Sequence, residues 1–330
     1  MKQKYTDVNQ YISDLIQEIV SKVTTHSNAD CISSIIVTGS FGRNEPTFKK
    51  DENGYLTLKS DVEIALVYDK FKNKEKVLQL MQDTEKCFSE LVEFMPFQKQ
   101  RIIKAQNHNF AIVEPKYKSL FTYDIFNGSY TAWGTDYLQL KHVSLDQVDP
   151  FEAKRIVGNR IGELMCFLNR GSAQYDDNYK KLWKAKVMLA IVSAYLLSNK
   201  TYISSYHGQR DRIMQQRKMV VDIFGEKFLT DYEKAFSYLR ENGESCEILD
   251  ENLRKYVAAI NIVLQKKGIT KARINCLSKK MRSWIHYLKC GSNYGFNFEN
   301  NLYQNLINAY IENAECIQKL ADDWRKILYY

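Results

Sequence analysis

The chain has 330 residues, 45% of them hydrophobic and 26% charged, with only four prolines. That composition predicts a soluble globular protein, most simply two domains sharing an interface. The longest nearly unbroken apolar run, Val187 to Leu197, is about half the length needed to cross a bilayer, so no membrane partner is expected. The formal net charge of +8 is uneven, with 18 Lys and Arg against 20 Asp and Glu in residues 1–150 and 29 against 19 in the rest. An acidic half beside a basic half suits a ligand that is metal-bound at one end and polyanionic overall. Nucleic acid is a less favoured partner, because it needs a concentrated basic patch interleaved with stacking aromatics. Seven scattered cysteines without a C-x-x-C pair fit a reduced, cytoplasmic protein with structural thiols.

In chain order, Val8, Ile12, Leu15, Ile16, Ile19 and Val20 recur at helical spacing, and Asp14 and Glu18 among them argue against a signal peptide. A strand is expected from about Ser33 to Thr38, ending in the Gly-rich turn Gly39-Ser40-Phe41-Gly42-Arg43. Residues 46–59 centre on Asn53-Gly54 between short alternating segments, the signature of an inserted β-ribbon. A strand over Asp61–Tyr68 and a helix near Lys74–Phe94 follow. Arg101–Lys104, Phe110–Val113 and, more clearly, Leu120–Phe126 are strand candidates, the last stopped by Asn127-Gly128. From Asp149-Pro150, a helix start with Asp as N-cap, the periodicity turns helical. Helices are expected over Phe151–Leu168, Tyr179–Ser198, Gln209–Phe224, Lys227–Glu241, Leu249–Lys266, Ser278–Lys289 and Asn301–Leu328. The expected architecture is therefore an α/β (α+β) domain with a small mixed sheet, residues 1–145, and an all-α helical bundle domain, residues 146–330.

The chemistry concentrates between residues 35 and 63. In a strand, residues i and i+2 share a face, so Asp61 and Glu63 would project side by side. Like charges that close stay ionised when cations sit between them, as two-metal phosphoryl transfer requires. Gly39 and Gly42 permit a tight turn whose amides, with the Ser40 hydroxyl, suit phosphate oxygens. No Gly-Lys-Ser/Thr follows, so this is not a Walker A loop. The five histidines are too far apart for a zinc motif.

Gly39-Ser40 after a hydrophobic strand, then Asp61-Val62-Glu63, then a carboxylate on a later strand together resemble the DNA polymerase beta-like nucleotidyltransferase superfamily. The resemblance spans about residues 30–130, and the spacer holding the 46–59 ribbon is longer than in minimal members. It implies transfer of an NMP from an NTP to a hydroxyl or phosphate of an unidentified acceptor, with Mg²⁺ (or Mn²⁺) and release of pyrophosphate. By the same resemblance Asp61, Glu63 and Asp124 are the metal ligands, with Glu114 the alternative third carboxylate. Asp124 doubles as general base, and Gly39, Ser40, Gly42 and Arg43 bind phosphate, Arg43 having a salt bridge to Glu45 or to the site carboxylates as its other expected role. Lys186, with Lys184 as runner-up, would reach the nucleotide from the helical half. Arg155, Asn159 and Arg160 fall near one another, as a solvated face or an acceptor-facing one. Two other functions stay open, a catalytically silent nucleotide-binding module of the same fold and an enzyme polymerising oligonucleotides or RNA ends.

Overall fold

The computed structural model describes residues 5–88, 91–105, 116–168, 177–241, 246–270, 298–314 and 316–329. They fall into two compact units, Met1–Glu114 with Lys118–Gln147, and Pro115–Tyr117 with Val148–Tyr330.

The first unit is built on two apolar strands, β1 (Ile32–Thr38) and β4 (Val62–Tyr68), which pair antiparallel. β5 (Val92–Gln98) lies parallel to β4, and β6 (Tyr130–Gly134) antiparallel to β1, giving the order β5-β4-β1-β6. Both central strands read as near-continuous hydrophobic runs because both of their faces are buried. On one face Ile35, Val37, Val62, Ile64 and Leu66 pack with Ile16, Ile19 and Val23 of α1 (Val8–Thr25) and with Val77 and Leu80 of α3 (Lys74–Glu85). On the other, Ile36, Ala65, Val67 and Phe97 pack with Ile102 of α4 (Lys99–Ile103) and Ile125 of α5 (Leu120–Asn127). Asp7 caps α1 by accepting from the Gln10 amide. The expected ribbon is present as β2 (Phe48–Lys50) and β3 (Leu56–Leu58), and the Asp51 carboxylate accepts from the Asn53 and Tyr55 amides in its turn.

Several expectations for this half are corrected. The Gly-rich turn is a single helical turn, α2 (Gly39–Gly42). The helix expected through Phe94 stops at Glu85, and residues 92–98 form β5 instead. Pro96 lacks an N–H to donate, which β5 tolerates because it is an edge strand. Residues 101–104 are helical or follow a helix rather than a strand. Leu120–Phe126 is also helical: its aromatic and β-branched residues have strand propensity, but Ser119 caps the segment by accepting from the Thr122 amide, and Ile125 anchors it on the sheet. Phe110–Val113 and Ser278–Lys289 lie outside the described residues.

The second unit is helical among its described residues. After α6 (Glu152–Leu168) and α7 (Asp177–Ser198) come α8 (Tyr206–Gln215), α9 (Arg217–Phe224), α10 (Glu226–Arg240), α11 (Asp250–Lys266), α12 (Phe298–Glu312) and α13 (Ile317–Tyr329). Two expected helices are thus each divided, at Gln216 and around Asn313, whose φ is +53°. Close packing on α6 depends on two glycines, since a Cβ on Gly158 or Gly162 would lie 2.4 Å from the Tyr303 ring or 2.5 Å from the Trp324 ring. No helix among the described residues is long and apolar enough to cross a membrane.

Lys154 of α6 is fully buried, and its ammonium donates to Oε1 of Gln304 at 2.5 Å. With no carboxylate paired to it among the described residues, burial holds its pKa below the usual lysine value. Folding therefore favours the neutral amine, and the penalty is fully present where Lys154 is charged in both states. Stability should rise as pH climbs through the folded-state pKa toward the unfolded value of about 10.4. Urea titrations between pH 7 and pH 10 should show a larger rise for the wild type than for Lys154→Met.

Candidate functional site

One end of the sheet collects the polar residues that the apolar strands carry. Thr38 stands opposite Glu63 in the β1–β4 pair, and Glu63 stands beside Glu93 in the parallel β4–β5 pair. The sequence Val62-Glu63-Ile64 therefore places Glu63 on the face shared with Ala65 and Val67, and Glu93 shares that face with Phe97. Asp61 lies one residue before β4, outside its paired residues.

Glu63 does not reach outward freely. A Cβ built on Gly39 would sit 2.7 Å from both Cδ and Oε2 of Glu63 and 3.0 Å from Oε1, so the carboxylate lies directly on the Gly39 backbone. Gly39 also has φ +63°, a conformation L side chains rarely adopt. It is this backbone conformation that reserves the position for glycine, since the flexible Glu63 side chain could move aside from a Cβ. Gly42 is required for another reason, because its Cβ would lie 2.5 Å from the Gly128 carbonyl oxygen and 2.8 Å from that of Val37. Ser40 sits between them, 7% exposed, with a buried hydroxyl that finds no hydrogen-bond partner. Arg43, at the end of the turn, pairs through Nε with Glu45 Oε2 at 3.4 Å.

Glu93 is the residue that sequence reasoning missed. Its pKa is raised by burial first, then by the negative charges of Asp61 and Glu85. The Asp61 contribution ties Glu93 electrostatically to the motif carboxylates. The signal in the sequence was Val92-Glu93-Phe94, one charge between two residues that are both buried. It was absorbed into the helix expected through Phe94.

The other candidates fall elsewhere. Asp124 is half-buried on α5, not on a strand, and its backbone carbonyl accepts from the Gly128 amide. Glu114 lies outside the described residues. Among the described residues, no group of three His, Cys, Asp or Glu side chains stands close enough to hold a metal ion. Lys184 and Lys186 belong to the second unit. Lys184 Nζ contacts Asp250 Oδ1 at 2.7 Å and donates to the Ile248 carbonyl at 2.9 Å, tying the start of α11 to α7. Lys186 Nζ lies 4.2 Å from the centre of the Trp183 ring, a cation–π contact. Asn159 is internal, because its Oδ1 accepts from Tyr303 Oη at 2.9 Å and from Trp324 Nε1 at 3.0 Å. Arg155 and Arg160 pair with Glu152 and Glu163 on their own helix.

Comparison with protein-family models and with curated proteins found no match to this chain.

Two expected outcomes follow from these contacts. A carboxyl group whose folded pKa is raised contributes stability at low pH that is lost as pH rises through that pKa. Glu93→Gln should therefore leave stability unchanged near pH 4 and raise it at pH 7, as melting temperatures across that range would show. Lys184→Met removes an ion pair and a hydrogen bond and should destabilise the fold by about 1–3 kcal/mol. The same variant should leave unchanged any melting-temperature shift caused by an NTP.

Proposed function

We propose that this chain is a metal-dependent nucleotidyltransferase that moves an NMP from an NTP to an acceptor hydroxyl or phosphate. The observation that carries the reading is the register of Glu63 between Thr38 and Glu93, at the strand end where Gly39 and Ser40 turn away. The order of these elements matches what the resemblance implies, with one change of residue. Glu93 takes the third-carboxylate role first given to Asp124, since it is strand-borne and adjacent to Glu63.

The donor set fits Mg²⁺ or Mn²⁺. Asp61, Glu63 and Glu93 offer only oxygen ligands, the preference of hard divalent ions. Neighbouring strands run about 4.8 Å apart, so Glu63 and Glu93 are neighbours on one face, and holding a shared ion would require the Glu63 carboxylate to leave the Gly39 backbone. The orphaned Ser40 hydroxyl and the glycine backbone beside it fit the oxygens of a phosphate chain. When bound, the cations would offset the triphosphate charge and make the acceptor hydroxyl more acidic. The residues of the chain then have distinct tasks. Ser40 orients the phosphate chain by donating to a phosphate oxygen. Glu93, whose proton affinity is already raised, accepts the acceptor hydroxyl's proton at a carboxylate oxygen. The acceptor oxygen forms its bond to the α-phosphorus as the bond to the bridging oxygen breaks, and pyrophosphate leaves.

The proposal rests on the first unit alone. Its test is a thermal-shift screen of the four NTPs with Mg²⁺, followed by pyrophosphate-release assays with RNA, protein and small-molecule fractions as acceptors. At least one NTP should raise the melting temperature in a Mg²⁺-dependent way. Asp61→Asn should lose transfer by several orders of magnitude, because the positioned cations supply most of the transition-state charge stabilisation. It should melt no lower than the wild type without Mg²⁺, since it relieves carboxylate repulsion. Glu93→Gln should cost far more activity than Asp124→Asn. Turnover retained by Asp61→Asn would refute the assignment, and NTP binding without any transfer would favour a silent nucleotide-binding module.

A further inference from the structure

Ser129 lies between the end of α5 and the start of β6, in no motif. Its position follows from the sheet. β6 pairs with β1 through Val37 opposite Tyr130, so one further step along the antiparallel ladder sets Ser129 beside Thr38. Residues directly opposite share a face, and Thr38 stands opposite Glu63. Ser129 thus extends the polar row that runs from Glu93 through Glu63 and Thr38. It also abuts the Gly-rich turn, because a Cβ on Gly42 would lie 3.1 Å from the Ser129 Cα.

Its hydroxyl oxygen is buried and makes no hydrogen bond, and the same is true of Ser40. Two hydroxyls without partners therefore flank a single backbone turn. Buried polar groups in native proteins are almost always paired, so each orphan calls for an explanation. Ser34 and Thr84 are also orphaned, but Ser34 lies toward the other end of β1 and Thr84 near the end of α3, away from the turn. A phosphate oxygen accepts from several donors at once, which one serine cannot supply.

We propose that Ser129 is the second hydroxyl of the phosphate seat at the Gly39–Gly42 turn, donating with Ser40 to the terminal phosphates of the nucleotide. This rests on the nucleotidyltransferase reading and adds a binding residue to it. The turn carries Ser40 two residues before Gly42, and Ser129, one residue before β6, stands against Gly42. Neither hydroxyl gives up a protein partner when the phosphates arrive.

The probe is inorganic tripolyphosphate with Mg²⁺, titrated by calorimetry into the wild type, Ser40→Ala and Ser129→Ala, with melting temperatures measured on the ligand-free proteins. Each variant should weaken tripolyphosphate binding by about tenfold, the loss of one charge-assisted hydrogen bond. Ligand-free Ser129→Ala should melt at the wild-type temperature or above, because the methyl replaces a hydroxyl with no partner. If Ser40→Ala is weakened and Ser129→Ala binds like the wild type, the role of Ser129 is overturned and the nucleotidyltransferase reading stands. A lowered ligand-free melting temperature in Ser129→Ala also overturns it, since the hydroxyl would then be structural. If the wild type binds neither tripolyphosphate nor any Mg²⁺-NTP, both readings fail together.

Discussion

The antiparallel register of β1 on β4 is the constraint on which the rest of the first unit depends. Thr38 meets Glu63 only in that register, and the contact between the Glu63 carboxylate and Gly39 exists only if that pair forms. A slip of one residue would turn Glu63 into the cluster of Val62, Ile64 and Leu66, where an unpaired charge is costly. Both faces of these strands are apolar, so alternation alone pins the register weakly. Size differences help, since Ala65 faces one cluster while Ile64 and Leu66 face the other. The polar end of the pair supplies the remaining specificity.

That polar end carries an electrostatic cost. Asp61, Glu63, Glu93 and Glu85 gather near one edge of the sheet, and the fields of Asp61 and Glu85 fall on Glu93. The Glu93 side chain is exposed, so solvent relieves part of this cost, while partial desolvation still raises its proton affinity. Gly39 lets the Glu63 carboxylate rest against backbone, and the nearby Arg43 is engaged with Glu45. Negative charge left concentrated in this way is what a divalent cation, or a cation-bound polyanion, would relieve.

The core strands were legible in the sequence because β1 and β4 are runs of Ile, Val and Leu bounded by turn residues, and the ribbon was legible through Asn53-Gly54. The glycines of the turn were legible for the same reason, since Gly39 takes φ +63° and a Cβ on Gly42 would meet backbone. Elements decided by tertiary contact were misread. Leu120–Phe126 has the composition of a strand, and it became a helix through the Ser119 cap and the anchor of Ile125 on the sheet. β5 was hidden because Leu91, Val92 and Phe94 continue a helical pattern, and only its pairing with β4 makes residue 93 a neighbour of Glu63. Asp124 was chosen as a strand-borne carboxylate, and that placement fails because the residue stands on the helix α5.

Basic residues of the second unit bear on the partner question. The positive excess of residues 151–330 would suggest nucleic acid if its arginines were presented to solvent beside aromatic rings. Several are committed inside the unit instead. Arg210 pairs with Glu233 and with Glu241 and lies 5.0 Å from the centre of the Phe236 ring. Arg240 lies 4.2 Å from the centre of the Tyr206 ring, and Arg155 and Arg160 hold carboxylates one helical turn away. A guanidinium stacked on its own protein's aromatic ring has spent the surface that would stack on a base. Much of the fork-shaped chemistry suited to phosphate and base edges is therefore used to hold helices together. Lys271, Arg273, Lys279, Lys280, Arg282 and Lys289 fall outside the described residues. Among the described residues, exposed lysines such as Lys218 and Lys227 act as solvated point charges without bidentate geometry. Such a surface attracts anions over a distance set by ionic strength, and it does so without selecting a sequence or a strand. On the proposed nucleotidyltransferase reading, specificity would come from the carboxylate end of the sheet, where geometry and not net charge sets what can bind.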